Sequence, residues 1–167
     1  MRERITCTDY AGTITEMLKK GILLNTNGDK FNSMVIGWGH LGTLWGRPTF
    51  AVYVRQSRYT KAQIDKTGEF TISIPLEQID EKINRVCGSM SGSDTDKAAE
   101  AGLTLEEPSV TKTPGIREYP LTLECRVLYS EDQDVSRIPA DIVSRFYPDP
   151  SDFHTMYVGE IVSAYIL

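Results

Sequence analysis

Apolar and polar residues alternate along several stretches of this chain, and this period of two predicts β-strands. The pattern is clearest where Phe50, Val52 and Val54 alternate with more polar neighbours. Similar runs predict further strands at residues 21–26, 31–38, 70–74, 121–128 and 156–162. The Asn27-Gly28 pair follows the first of these runs and predicts a hairpin with a type I′ turn, which needs positive φ at both central residues.

Short helices are predicted between the strands. Two capping-box patterns, at residues 13–16 and 60–63, predict that helices begin at Thr13 and Thr60. Further helices are predicted at residues 76–84 and 93–101 and, after Pro139, at residues 140–146. Glycines that predict helix ends follow three of these segments, namely Gly21, Gly68 and Gly102. Because strands and helices do not alternate strictly, we predict one α+β domain of residues 1–167, an antiparallel β-barrel with peripheral helices.

The composition is typical of a water-soluble domain, since 40% of the 167 residues are hydrophobic and 25% are charged. A net charge of −5 disfavours a broadly basic surface that binds nucleic acid. No apolar run is long enough to cross a membrane, and the N-terminal residues lack the apolar stretch of a signal peptide, so we expect a cytoplasmic protein without a membrane partner. The three cysteines and two histidines lack disulfide-framework or metal-ligand spacing, so no metal centre is expected.

The segment from Arg55 to Thr60 carries the clearest chemical signal in the chain. It places two guanidinium groups, from Arg55 and Arg58, and two hydroxyl groups, from Ser57 and Thr60, where a helix is predicted to begin. Unpaired main-chain N–H groups and the helix dipole favour an anion at such a position. The segment therefore predicts a phosphate site. The alternative is a solvated loop whose arginines bind no specific partner.

Three other features carry weaker signals. Residues 37–42 match G-x-G-x-x-G, but Gly46 and Pro48 follow too soon for the helix that a dinucleotide-binding loop requires, so we reject that function. These glycines instead suit a close approach of the main chain to a flat ligand or to a neighbouring subunit. Residues 88–93 form a hydroxyl-rich segment that either closes over a ligand or is a plain surface connection. His154 begins the last predicted strand and either contacts a ligand or packs structurally.

Several blocks of sequence resemble the flavin reductase-like family, to which the flavoredoxins belong. The resemblance covers most of residues 21–162, with family-like spacing between the blocks. The blocks are residues 32–39 (NSMVIGWG), 45–48 (WGRP), 54–60 (VRQSRYT), 68–75 (GEFTISIP), 87–92 (CGSMSG), 96–97 (DK), 101–104 (AGLT), 120–125 (PLTLEC) and 154–161 (HTMYVGEI). The resemblance implies an antiparallel split β-barrel that binds FMN, as a homodimer with the flavin near the subunit interface.

The resemblance also implies roles for individual residues. The isoalloxazine ring would lie along Asn32, Ser33, Met34, Val35, Ile36, Gly37 and Trp38. The ribityl phosphate would be held by Arg55, Ser57, Arg58, Tyr59 and Thr60, in agreement with the anion site predicted above. A loop beside the flavin would contain Cys87, Gly88, Ser89, Ser91 and Gly92. His154, the candidate catalytic residue, would approach the ring or the nicotinamide site. The family often has threonine where this chain has Val35.

The function implied is transfer of a hydride from NAD(P)H to FMN, followed by reduction of a small-molecule acceptor such as free flavin or ferric iron. No acid–base dyad is needed for this reaction, because the flavin carries the chemistry and the protein orients the two rings. An alternative from another class is a flavoredoxin-type electron carrier, which takes electrons from a redox protein partner without using NAD(P)H. A structural protein that binds no cofactor is a third alternative.

Overall fold

The computed structural model describes residues 2–167, in which more residues lie in strands than in helices. The strands are β1 (Glu3–Arg4), β2 (Ile22–Asn27), β3 (Phe31–Ile36), β4 (Gly39–Leu44), β5 (Arg47–Arg55), β6 (Glu69–Ile74), β7 (Leu105–Glu106), β8 (Gly115–Ile116), β9 (Leu121–Asp132) and β10 (His154–Ile166). The α-helices are α1 (Ala11–Lys20), α2 (Tyr59–Thr67), α3 (Glu81–Ser89), α4 (Lys97–Ala101) and α5 (Ala140–Phe146). Two 3-10 helices, Cys7–Tyr10 and Val135–Arg137, complete the regular structure described.

One antiparallel sheet forms the body of the protein. Its strands follow the order β3-β2-β6-β9-β10-β5-β4, with β1 pairing to the far end of β10. β3 and β4 are the two ends of this path, yet only Gly37 and Trp38 separate them along the chain. The sheet must therefore curl round so that its two end strands, β3 and β4, come close together, although they are not hydrogen-bonded neighbours in the strand order. This arrangement is the antiparallel split β-barrel that was predicted.

As the period-two pattern predicts, the long strands each place one face toward the interior of the barrel, where their apolar side chains form the core. Phe50, Val52 and Val54 of β5 are fully buried, and they pack with residues of β2, β6, β9 and β10 in the main core. A second apolar cluster lies on the outer face of β2, where Leu23 meets Ile83 and Val86 of α3. α3 and α4 thus cover one side of the barrel close to the end of β3.

Turn chemistry differs from the prediction at one hairpin. β2 continues through Asn27, which pairs with Phe31, and Gly28 does not have positive φ, so the predicted type I′ turn at Asn27-Gly28 is wrong although the hairpin itself is present. The two-residue loop with positive φ at both positions instead joins β4 and β5, at Trp45 (φ 52°) and Gly46 (φ 72°). Four of the six residues in the rejected dinucleotide motif, residues 39–42, lie in β4, and the next element is β5 rather than a helix.

The helix ends predicted at Gly21, Gly68 and Gly102 are correct, and α5 begins at residue 140 as predicted, but the other helix starts differ from the prediction. Gly21, Gly68 and Gly102 follow α1, α2 and α4 directly, and all three have positive φ. Both capping boxes are wrong. α1 begins two residues before Thr13, and Thr60 lies inside α2, where its hydroxyl accepts a hydrogen bond from Asn32 instead of capping the helix.

The third and fourth helices are shifted relative to the prediction. α3 ends at Ser89 rather than at residue 84, and α4 begins at Lys97 rather than at residue 93 because the Asp96 side chain caps it. α3 begins at Glu81 rather than at residue 76, because the carboxylate of Asp80 caps it by accepting from the N–H of Ile83 at 3.0 Å. β9 and β10 are both longer than the predicted segments. No helix within residues 2–167 is long and apolar enough to span a membrane.

Candidate functional site

Two adjoining cavities lie where the end of β3, the end of β5, the start of α2 and the end of α3 meet. The aromatic cavity, of about 230 Å³, is lined on one side by Trp38, Tyr53 and His154. The polar cavity, of about 280 Å³, is lined by Ser57, Tyr59, Thr60, Ser91 and Lys97 among others. The walls shared by both cavities are Met34, Val35 and Arg58. Each volume falls short of the roughly 300 Å³ typical of ligand sites, but the two together are within the usual range.

Most of the predicted site residues are brought together here. The remaining cavity-lining residues from the prediction are Asn32, Ile36, Gly37, Arg55, Cys87, Gly88 and Gly92. Ser33 and Ser89 line neither cavity: the Ser33 hydroxyl donates to Asn25 Oδ1 at 2.8 Å, and the Ser89 hydroxyl donates to the Arg85 carbonyl at 2.6 Å. These two hydroxyls are therefore committed to the protein itself.

Arg58 occupies the junction of the two cavities, directly before α2. Within residues 2–167 no side chain caps this helix. The N–H of Lys61 donates to the Arg58 carbonyl, whereas the N–H groups of Tyr59 and Thr60 are left for another acceptor. Tyr59 and Thr60, the first two residues of α2, line the polar cavity. A guanidinium group and the positive end of a helix dipole therefore act on the same space, which favours an anion.

Lys97 supplies a second cation that sequence reasoning did not single out. Its side chain is only 4% exposed, and the ammonium donates to the carbonyl of Ser33 at 2.9 Å and to the carbonyl of Cys87 at 3.0 Å. Burial lowers the pKa of Lys97, and the nearby charge of Arg58 lowers it further. An ammonium has three N–H donors. Because the structure shows two hydrogen bonds within residues 2–167, one donor remains for the polar cavity that Lys97 lines.

Asn32 contributes a buried polar atom that lacks a partner among the described residues. The side chain is 1% exposed and donates from Nδ2 to the Thr60 hydroxyl at 2.9 Å, but its Oδ1 accepts no hydrogen bond. Gly92 approaches closely, since a Cβ at that position would lie 2.0 Å from Asn32 Oδ1 and 2.8 Å from the Tyr59 ring. Only glycine fits this position without displacing its neighbours.

Part of the loop predicted beside the flavin is helical. Cys87, Gly88 and Ser89 form the last turn of α3, so the connection to α4 begins only at Met90. Cys87 is buried, and burial raises the pKa of its thiol, against the opposing effects of a hydrogen bond with Ser33 and of the Lys97 charge. A buried thiol with a raised pKa is a poor nucleophile.

Arg55 is engaged by the main chain of its surroundings. Its guanidinium donates to the carbonyl of Asp152 at 2.9 Å and to the carbonyl of Phe146 at 2.7 Å, and it lies 5.3 Å from the centre of the Tyr147 ring. These contacts hold the end of α5 and the segment before β10 against the aromatic cavity. A direct phosphate contact by Arg55 stays a prediction.

Ser57 also has an internal partner. Its main-chain N–H donates to Oδ1 of Asp152 at 2.9 Å, and its hydroxyl donates to Oδ2 of the same carboxylate at 3.0 Å. Both donors that Ser57 brings to the start of α2 are thus held by an anionic group of the protein.

His154 begins β10 and forms a wall of the aromatic cavity. It is 6% exposed, its Nδ1 lies 2.9 Å from the Tyr147 hydroxyl, and its ring centre lies 5.0 Å from that of Trp38. Burial lowers the pKa of His154 to about 4, and the positive charge of Arg55 contributes in the same direction. The imidazole is therefore neutral near pH 7. Trp38 remains 42% exposed, and its ring also makes an edge-to-face contact with the Phe146 ring.

The arrangement can hold an elongated ligand that is anionic at one end and flat at the other. Arg58, Lys97 and the uncapped start of α2 surround the polar end. Trp38, His154 and the main chain of the β3 end line the aromatic end. Lys97 belongs to the block at residues 96–97 of the family resemblance but was given no role in the predicted site, because a lysine at a helix start is usually exposed.

Comparison with known proteins places this chain in a family. The flavin reductase like domain matches residues 19–167. An uncharacterized protein of Archaeoglobus fulgidus is 30% identical over 111 residues, which are 66% of this chain and 52% of that protein. The chain therefore spans about half the length of this curated relative.

Two solved structures share the fold. The flavoredoxin from Methanosarcina acetivorans is 30% identical, with a TM-score of 0.67 over 88% of this chain and 68% of that one. The flavoredoxin of Desulfovibrio vulgaris (Miyazaki F) is 25% identical, with a TM-score of 0.68 over 88% of this chain and 69% of that one. Both likenesses agree with the split barrel described above. Because the family match includes nearly all of the sheet and every residue that lines the two cavities, the chain belongs to the flavin reductase like domain family.

Proposed function

We propose that this chain binds FMN across the two cavities and acts as an oxidoreductase. The observation that carries the proposal is the continuity of a cationic space with an aromatic one: Arg58 lines both, Lys97 lies in the first, and Trp38 lies in the second. FMN has the matching form, a phosphate joined by a flexible chain to a flat ring. Family membership and the likeness to flavoredoxins support the same cofactor.

The chemistry of the donor set fits FMN at both ends. Arg58, Lys97 and the first-turn N–H groups of α2 would hold the phosphate, because charge-assisted hydrogen bonds favour an anion strongly. The unpartnered Oδ1 of Asn32 would accept from a donor on the bound group. Met34 and Val35, whose side chains line both cavities, would exclude water from the face of the ring. Flavins accept a hydride or single electrons and pass them on, so the chain itself need supply no nucleophile or metal.

Two roles for the reduced cofactor follow from the proposal. In the first, the neutral His154 and Trp38 would align a nicotinamide at the aromatic cavity, and NAD(P)H would supply the hydride that FMN accepts. In the second, the chain is an electron carrier that receives electrons from a redox protein. The likeness to two flavoredoxins, at 30% and 25% identity, supports retaining the electron carrier as a second candidate function.

The distinguishing experiment is anaerobic mixing of the FMN-loaded protein with NADH and, separately, with NADPH while the visible flavin absorbance is followed. Rapid bleaching by either nucleotide supports the reductase. Bleaching only by a reduced protein donor, such as a ferredoxin, supports the carrier. Protein that binds neither FMN nor riboflavin contradicts both, and it supports a structural role.

A homodimer with the flavin near its interface forms part of the same proposal. The hairpin of β4 and β5 ends in Trp45, which is 66% exposed and makes an edge-to-face contact at 6.4 Å with Tyr129, itself 41% exposed. Two exposed aromatic side chains side by side suit an interface better than a solvated surface. Sedimentation of wild type and of Trp45→Ser tests this. A wild-type species of only 18.7 kDa at micromolar concentration contradicts the dimer.

A further inference from the structure

We infer that Asp152 is a specificity-determining residue, whose carboxylate competes with the phosphate of a flavin for the two donors of Ser57. This inference rests on the proposed function and identifies a residue that limits the preference for phosphorylated over unphosphorylated flavin. Removal of the Asp152 charge should therefore strengthen FMN binding selectively.

The contact places a carboxylate on the two donors of Ser57, which lies two residues before the first residue of α2. Both carboxylate oxygens of Asp152 are used, one by the N–H of Ser57 at 2.9 Å and one by the Ser57 hydroxyl at 3.0 Å. Ser57 lines the polar cavity together with Arg58 and Lys97, the groups that would hold a phosphate. A carboxylate and a phosphate seek the same donors. Asp152 itself lines neither cavity, but its carboxylate holds both donors of a residue that lines the proposed phosphate site.

The carboxylate can leave without disturbing the main chain around it. Asp152 forms no ion pair among residues 2–167, and its side chain is only partly buried. Its carbonyl, by contrast, is anchored by the Arg55 guanidinium at 2.9 Å, and its N–H donates to the Asp149 carbonyl at 3.2 Å. Rotation of one side chain, with residues 149–153 held in place, is enough to release Ser57.

Two effects of Asp152 on a phosphate point in the same direction. When the carboxylate stays on Ser57, its charge repels a phosphate held beside Ser57, and when it rotates away, its two hydrogen bonds are lost. Riboflavin has no phosphate and meets neither cost. Interactions of partly exposed charges are modest and are screened by salt. We therefore expect about a three- to tenfold effect on FMN affinity, larger at low ionic strength.

The experiment measures dissociation constants of FMN and riboflavin, by quenching of flavin fluorescence, for wild type, Asp152→Asn, Asp152→Ala and the control Asp149→Asn. Asp149 lies in the same segment, but its carboxylate accepts only from Ser151. We expect both Asp152 variants to bind FMN about three- to tenfold more tightly than wild type at low salt, with riboflavin within about twofold and the difference reduced at high salt. The control should match wild type for both flavins.

Each other outcome is informative. FMN affinity equal to or below that of wild type in the Asp152 variants overturns the inference and leaves the proposed function standing. Equal tightening for FMN and riboflavin also overturns it, because the effect then does not involve the phosphate. A wild-type chain that binds neither flavin overturns the proposed function and the inference together.

Discussion

Replacement of Lys97 by methionine tests the cationic end of the site most directly. Methionine has a similar length and no charge, so Lys97→Met removes the ammonium while filling the same buried space. If the third N–H donor of Lys97 faces a phosphate, its loss removes one charge-assisted hydrogen bond, worth about 1.5–3 kcal/mol. At about 1.4 kcal/mol per tenfold change, the dissociation constant of FMN should rise roughly ten- to a hundredfold.

The same substitution also affects folding, and the two effects have to be separated. The carbonyls of Ser33 and Cys87 lose their donor, at about 1–3 kcal/mol each, whereas the cost of burying a charge is relieved. We expect a net loss of about 1–4 kcal/mol in the free energy of unfolding, which a domain of 167 residues can tolerate. Urea unfolding measures this loss independently of the flavin.

The assay is titration of FMN and of riboflavin into folded Lys97→Met, with Lys66→Met as the control. Lys66 lies in α2 with its side chain 60% exposed and pairs with Asp29, away from both cavities. Riboflavin affinity should change little in either variant. An FMN dissociation constant within twofold of wild type refutes the assignment of Lys97 to the phosphate, and an equal loss for riboflavin shows that Lys97 acts only through the fold.

Three further predictions concern the other walls of the site. Arg58→Ala should weaken FMN binding about ten- to a hundredfold. Arg55→Ala should chiefly lower the free energy of unfolding, because main-chain carbonyls hold its guanidinium. Equal losses of FMN affinity in the two variants would contradict this difference between the arginines. Since the pKa of His154 is about 4 in the folded chain and 6.5 is its ordinary value, the unfolded chain binds an additional proton between these values. The free energy of unfolding should then fall by about 2 kcal/mol from pH 7 to pH 5, and urea unfolding should show less of this fall in His154→Gln. Gly92→Ala should lower the free energy of unfolding by about 1–3 kcal/mol and weaken FMN binding, since the added Cβ would lie 2.0 Å from the buried amide oxygen of Asn32. The control is Gly42→Ala, whose added Cβ meets nothing within 4 Å and which should have little effect in urea unfolding or FMN titration.

The strands and the helix ends could be predicted because their signals are local. Burial of Phe50, Val52 and Val54 follows from their alternation, and Gly68 ends α2 because positive φ is easily adopted only by glycine. The helix starts were harder to predict, because a capping residue competes with other partners. Thr60 shows this, since its hydroxyl is taken by Asn32, 28 residues away.

The sequence by itself determined the family, the strand pattern and the presence of two arginines and several hydroxyls at the start of α2. Only the tertiary structure placed Lys97 beside that segment and decided what each polar group contacts. Lys97 reaches Ser33 across 64 residues of chain, and Asp152 reaches Ser57 across 95. The reason is physical: periodicity and glycine conformation depend on neighbouring residues, whereas burial of a charge and the partner of a donor depend on how distant strands are brought together.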